Sequence, residues 1–169
     1  MTEIVNRVAN SKIVSFDMED YLPKKSEIVT FDLADYLFQG MVLREKDFRQ
    51  ELKAMDWSVY EGKYVLVTCS ADAIVQIWAY MLVASYLGGV AKFQAQNEET
   101  LFVDVLKASI EQLHVETDLT DKPVVIKGCS NIPFKESLYL EATKGFLPYA
   151  KSIMYGEPCS MVPVFKKKK

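Results

Sequence analysis

The sequence predicts a three-layer α/β fold with a central, mostly parallel sheet, on the strength of two observations. After Gly62, short apolar runs rich in β-branched residues alternate with longer helical segments, a pattern typical of parallel strands joined by right-handed helical crossovers. Before Gly62, a short repeat supplies further strands, which we place at the edge of the sheet. We expect a single domain over residues 1–169, made of an N-terminal region (1–61), a βα core (62–165) and a basic tail (166–169).

The N-terminal region contains a ten-residue repeat. IVSFDMEDYL begins at Ile13 and IVTFDLADYL begins at Ile28, and seven of their ten positions are identical. Each β-branched run ends at an aspartate, Asp17 or Asp32, which favours a strand followed by a turn or a short capped helix. The same carboxylates also suit a hard metal ion, so capping and metal binding both stand as interpretations.

The remaining elements follow from hydrophobic periodicity. The segment LREKDFRQELKAMDW is typical of an amphipathic surface helix. The core then predicts strands at 63–67, 91–95, 122–127 and 151–155, alternating with helices at 71–87, 98–113 and 133–149. We expect these four strands to adopt a flavodoxin-like order 2-1-3-4, with 3-2-1-4 as the competing order.

Charge and composition exclude several classes of function. The net charge of −3 includes four lysines at 166–169, so the rest of the chain is more acidic and repels a phosphate backbone, which argues against nucleic acid. No apolar leader opens the chain and the longest apolar stretch is too short for a bilayer, so we expect a cytoplasmic protein without membrane contact. A homo-oligomer is compatible with this composition. The three cysteines, an odd number, indicate thiols rather than a disulfide framework.

The cysteines carry the candidate chemistry. Each follows a predicted strand and precedes a serine, in the pairs Cys69-Ser70, Cys129-Ser130 and Cys159-Ser160. The carboxyl ends of parallel strands are where open α/β sheets bind ligands. In the order 2-1-3-4 the cysteine-bearing strands are adjacent, so we predict that the three thiols gather at one edge of the sheet.

Three thiolates without neighbouring histidines suit zinc or an iron–sulfur cluster, with one coordination position left open. Around them we expect Ser70, Ser130, Ser160 and Lys127 to contact the cofactor. Asp72 and Glu157 are the candidate acid/base groups. Each residue also has a structural interpretation, in which the cysteines fill the core, Ser70 and Asp72 begin a helix and the other charges are solvated.

Two further functions stay open. Cys69, expected at a helix N-terminus, is the best candidate for a nucleophile that carries a sulfur or acyl group without a metal. A scaffold or interaction domain without chemistry is the other alternative. The only histidine, His114, lies at the end of a predicted helix remote from the strand edge, and the chain contains no CxxC pair, phosphate loop or dinucleotide fingerprint.

Four strings resemble the domain of unknown function 2480 family: LREKDFR, DWSVYEGKYVLVTCSADAI, VVIKGC and AKSIMYGEPCS. The resemblance covers the whole chain. It implies no assigned activity and no catalytic residues, and it implies iron–sulfur assembly proteins as partners.

Overall fold

The structure is a computed structural model that describes residues 13–128, 132–157 and 160–168. The chain divides into two compact units, each with most of its packing within itself. Unit 1 consists of Met1–Leu22 and Val103–Lys169, and unit 2 is Pro23–Phe102, which therefore interrupts unit 1 in sequence. That the chain forms a single domain stays a prediction.

The described residues form an α/β structure. Its strands are β1 (Val14–Asp17), β2 (Ile28–Asp32), β3 (Leu37–Phe38), β4 (Val42–Leu43), β5 (Tyr64–Thr68), β6 (Phe93–Ala95), β7 (Pro123–Lys127), β8 (Ser152–Glu157) and β9 (Ser160–Lys166). Its helices are α1 (Glu45–Ala54), α2 (Ile77–Leu87), α3 (Glu98–Thr117) and α4 (Lys135–Phe146). The boundary between the units falls within α3.

Each unit has its own sheet. In unit 1 the order is β1-β7-β8-β9, with the first three strands parallel and β9 antiparallel. In unit 2 the order is β2-β5-β6, all parallel, and β3 and β4 form a separate antiparallel hairpin. The predicted α/β class with a mostly parallel sheet is confirmed, and so is the placement of the repeated strands at sheet edges.

The predicted flavodoxin-like order 2-1-3-4 is wrong, as is the order 3-2-1-4. Both orders place the four core strands in one sheet, whereas β5 and β6 lie in one sheet and β7 and β8 in another. The physical reason is the repeat. Strand β2 occupies the free side of β5 and strand β1 occupies the free side of β7, so β5 and β7 have no edge left to pair with each other.

The two units are copies of one strand–helix–strand–helix–strand pattern. Val29 pairs with Val65 in unit 2, and Val14 pairs with Val124 in unit 1. The residue numbers of equivalent positions differ by 15 in the first strand and by 59 in the later elements. The pairing register is the same in both sheets.

Turn hydrogen bonds repeat with the same offset. The amide of Lys92 donates to the Lys63 carbonyl at 2.8 Å, and its counterpart, from Lys151 to Lys122, measures 2.9 Å. The chain is therefore an internal duplication of a single fold.

The duplicated strands explain the sequence repeat. Phe31 and Phe16 are equivalent core residues, and each stacks on the tyrosine five positions later, Tyr36 at 5.2 Å or Tyr21 at 4.4 Å between ring centroids. The aspartate after each phenylalanine accepts a hydrogen bond from the backbone N–H two residues on and begins a 3-10 helix, Leu33–Tyr36 or Met18–Asp20. Capping is thus confirmed for both copies.

Helix α2 begins at Ile77, six residues later than predicted, and two sequence interpretations change with it. Ser70 and Asp72 do not begin this helix, and Cys69 does not lie at a helix N-terminus. The chain is diverted because the Ser70 amide donates to Asp32 on the neighbouring strand, a partner that is distant in sequence.

Candidate thiol site

Cys69 lies directly after β5, the middle strand of unit 2. Its side chain is half-buried and packs against the core of this unit. Within the described residues its thiol forms no disulfide, and Sγ lies 3.7 Å from the Ala71 carbonyl oxygen, a weak hydrogen bond. Cys69 is therefore a thiol at the carboxyl end of a parallel strand, as the sequence predicts for this residue.

Asp32 ends the adjacent strand β2 and holds the segment that follows Cys69. Its Oδ1 accepts hydrogen bonds from the backbone amides of Ser70 and Ala34, both at 2.9 Å. The hydroxyl of Ser70, followed by these two amides, lowers the pKa of the Asp32 carboxyl below its ordinary value. Asp32 is consequently charged at neutral pH and too weak a base to accept a thiol proton, so its role is to position the loop.

Tyr80 belongs to α2 and, like Cys69, packs against the core of unit 2. Burial is the main cause that raises the pKa of the Tyr80 hydroxyl, and the charges of Cys69 and Asp32 raise it further. The hydroxyl therefore stays protonated at neutral pH and is available as a hydrogen-bond donor.

A pocket of about 150 Å³ adjoins Tyr80. It is lined by Val67, Tyr80, Ala84, Gln94, Ala95 and Gln96. The Gln94 amide nitrogen donates to the Ala84 carbonyl at 3.2 Å, while its Oε1 is buried and has no partner among the described residues. A buried acceptor without a donor is uncommon in proteins. Gln94, a residue of the pocket wall, therefore carries a buried acceptor without a partner in the described part of the chain.

Unit 1 contains three further predicted site residues that the structure describes, Lys127, Glu157 and Ser160. Lys127, at the end of β7, forms an ion pair of 3.4 Å with Glu157, at the end of β8. Ser160 is exposed at the start of β9. Cys129, Ser130 and Cys159 lie outside the described residues.

The structure therefore brings together only some of the predicted residues. Cys69 and Ser70 share one loop in unit 2, where Asp72 is exposed, and Lys127 and Glu157 are paired in unit 1. The premise that Cys69 and Cys129 follow adjacent strands is wrong, since β5 and β7 belong to different sheets. Among the described residues, no group of three or more His, Cys, Asp or Glu side chains could hold a metal ion.

Sequence reasoning missed Tyr80 and Gln94, and it assigned Asp32 only to a cap. A signal for Tyr80 exists in the sequence. At an offset of 59, Lys63 coincides with Lys122 and Tyr80 with Tyr139. Between them, the inserted Gly128 brings Cys69-Ser70 onto Cys129-Ser130 at an offset of 60, and the segment that follows is one residue shorter in the second copy. A search for a second, longer repeat would have found this tyrosine.

Residues 2–167 match the family model described as "Protein of unknown function (DUF2480)". The chain belongs to this family. No curated protein and no solved structure matches it. DUF2480 membership thus confirms the resemblance found in the sequence, and it assigns no activity to the thiol site. No helix in the described ranges has the length and apolar character needed to cross a membrane.

Proposed function

We propose that the protein is a cysteine-dependent carrier or transferase in which Cys69 is the nucleophile. The observation that carries the proposal is the position of the half-buried Cys69 thiol directly after β5, whose Val67 lines a pocket together with Tyr80. The recurrence of Asp, Cys-Ser and Tyr at corresponding sequence positions of the second copy supports it, because two copies retain the same residue types.

The chemistry follows from these neighbours. In the thiolate form, Sγ of Cys69 bonds to an electrophilic atom of the substrate, and the leaving group departs with the electrons of the broken bond. The Tyr80 hydroxyl donates a hydrogen bond to the thiolate or to the charge that develops on the substrate. Asp32 keeps the Ser70 backbone in place through its two amide hydrogen bonds and takes no proton.

Tyr80→Phe is expected to slow the alkylation of Cys69 by iodoacetamide about threefold to tenfold, the loss of one hydrogen bond to a charged group. Phenylalanine keeps the ring and removes only the donor. The measurement is the second-order rate constant at fixed pH, in a background where Cys129 and Cys159 are replaced by serine.

Tyr139→Phe is the matched control, since it removes the equivalent hydroxyl from unit 1 and is expected to leave the rate of Cys69 unchanged. Equal rates in the two variants would show that Tyr80 does not act on the thiol. If Cys69 reacts only after the chain unfolds, the nucleophile proposal fails, and Cys69 has only a structural role in the core.

A metal or iron–sulfur cluster bound by Cys129 and Cys159 is a second proposal. It is favoured by the pairing of β7 and β8 as adjacent parallel strands, because Cys129 and Cys159 follow them in sequence. Adjacent strands lie about 4.8 Å apart, close enough for two thiols to share a metal. In this proposal Ser130, Ser160 and Lys127 contact the cofactor, and Glu157 is the acid/base group.

Purification without oxygen tests this second proposal. A bound cluster is expected to give a brown protein with iron and acid-labile sulfide, and the replacement of both Cys129 and Cys159 by serine is expected to remove both. A colourless wild-type protein that contains neither iron nor zinc would contradict it. That result would leave the nucleophile proposal standing.

A further inference from the structure

The pocket of unit 2 has a counterpart in unit 1. This second pocket measures about 210 Å³ and is lined by Ile126, Tyr139, Thr143, Ile153, Met154, Tyr155 and Val164. Six of these residues correspond, at the offset of 59, to the six residues that line the first pocket. A pocket that is lined by equivalent residues in both copies of a duplicated fold is a property of the fold itself.

The two pockets differ in polarity. The glutamines and alanine of unit 2, Gln94, Ala95 and Gln96, are replaced in unit 1 by residues of a different kind, Ile153, Met154 and Tyr155. The pocket of unit 1 gains one further apolar wall, Val164 of β9, which has no counterpart in the three-stranded sheet of unit 2.

Two of the three side-chain hydroxyls in the wall of the unit 1 pocket, those of Tyr139 and Thr143, are already hydrogen-bonded. The Tyr139 hydroxyl donates to the Gly128 carbonyl at 3.3 Å, and the Thr143 hydroxyl donates to the Tyr139 carbonyl at 2.8 Å. What this wall offers a ligand is therefore mainly apolar and aromatic surface. Tyr155 meets Tyr139 edge-on, with ring centroids 5.3 Å apart, and such rings accept a further aromatic group edge-on or offset-stacked.

From this geometry we infer that unit 1 binds a small, uncharged aromatic ligand or ligand group between α4 and β8. Its size follows from the volume, because an apolar cavity of about 150 Å³ accommodates benzene, and a larger one accommodates an indole-sized bicycle. The site is separate from the Cys69 thiol site and does not depend on the chemistry proposed there. The duplicated fold thus presents one pocket with a polar acceptor and one that selects an apolar ring.

Indole is the probe, titrated into the full chain while the methyl resonances of isoleucine, methionine and valine are followed by NMR. We expect saturable shifts for Ile126, Ile153 and Met154 at concentrations of about a millimolar. Thr143→Leu fills the pocket with a good helix former and is expected to weaken binding about tenfold or more. Ala84→Leu, its equivalent in unit 2, is the matched control and is expected to bind indole like the wild type.

Tyr155→Ala provides a second variant at a half-exposed position, in case Thr143→Leu does not fold. It removes the aromatic wall and is also expected to weaken indole binding several-fold. The inference is overturned if wild-type shifts do not saturate up to the solubility of indole. It is equally overturned if Ala84→Leu loses binding while Thr143→Leu or Tyr155→Ala retains it.

Discussion

Replacing Phe31 by alanine is expected to lower the free energy of unfolding by about 3–5 kcal/mol. Phe31 is 1% exposed and is surrounded by the rings of Tyr36, Trp57 and Tyr60 at centroid distances of 5.2, 5.7 and 6.1 Å. Alanine leaves a cavity that these rings cannot fill without leaving their stacked positions. The free energy lost by removing the buried ring and the cost of the cavity therefore add. Urea-induced unfolding, followed by tryptophan fluorescence, measures the loss.

Val59→Ala is the control for this experiment. Val59 lies in the same unit but is 59% exposed, so its truncation is expected to change stability by no more than about 0.5 kcal/mol. Phe16→Ala, the equivalent replacement in unit 1, is expected to be as costly as Phe31→Ala, since Phe16 is fully buried between Tyr21 and Phe146. A small effect at Phe31, comparable to that at Val59, would contradict the central position assigned to this ring.

Replacing Gly156 by alanine is expected to destabilise the protein by at least about 2 kcal/mol. Gly156 lies in β8 with a φ of +110°, a backbone conformation that L-residues rarely adopt. A Cβ at this position would lie 2.7 Å from the carbonyl oxygen of Ser160, which is a backbone atom of β9 and cannot rotate away. Strain and overlap therefore add, and the midpoint of thermal unfolding reports their sum.

Gly89→Ala is the matched replacement. A Cβ at Gly89 meets nothing within 4 Å and its φ is not positive, so we expect a change within about 0.5 kcal/mol. If the Gly156→Ala variant has the same melting temperature as the Gly89→Ala variant and the wild type, Gly156 does not have the backbone conformation described above.

The local elements were predictable because their signals are local. The repeat indicated both edge strands and both capping aspartates, and apolar runs indicated β5, β7 and β8 within one or two residues of their starts. Strand pairing was not predictable in this way. Which strand lies beside β5 or β7 depends on segments distant in sequence, and a hydrophobic pattern carries no information about the partner.

The same distinction between local and long-range signals applies to the candidate site. Cys69 was placed correctly at a strand end, since the strand that precedes it is strongly apolar. The start of α2 was misjudged because its apolar composition extends back through Ile74 and Val75, whereas the hydrogen bond from Ser70 to Asp32 diverts the backbone there. Strand β9 was missed because Pro163 argues against a strand, although an edge strand tolerates it.

The interruption of unit 1 by unit 2 has a consequence for the order of folding during synthesis. Every segment of unit 2 is contiguous, so its sheet can close as soon as Phe102 has left the ribosome. Strand β1 is made first, yet its partner β7 emerges only after the whole of unit 2 and α3. The sheet of unit 1 can therefore close only after every segment of unit 2 has been synthesised.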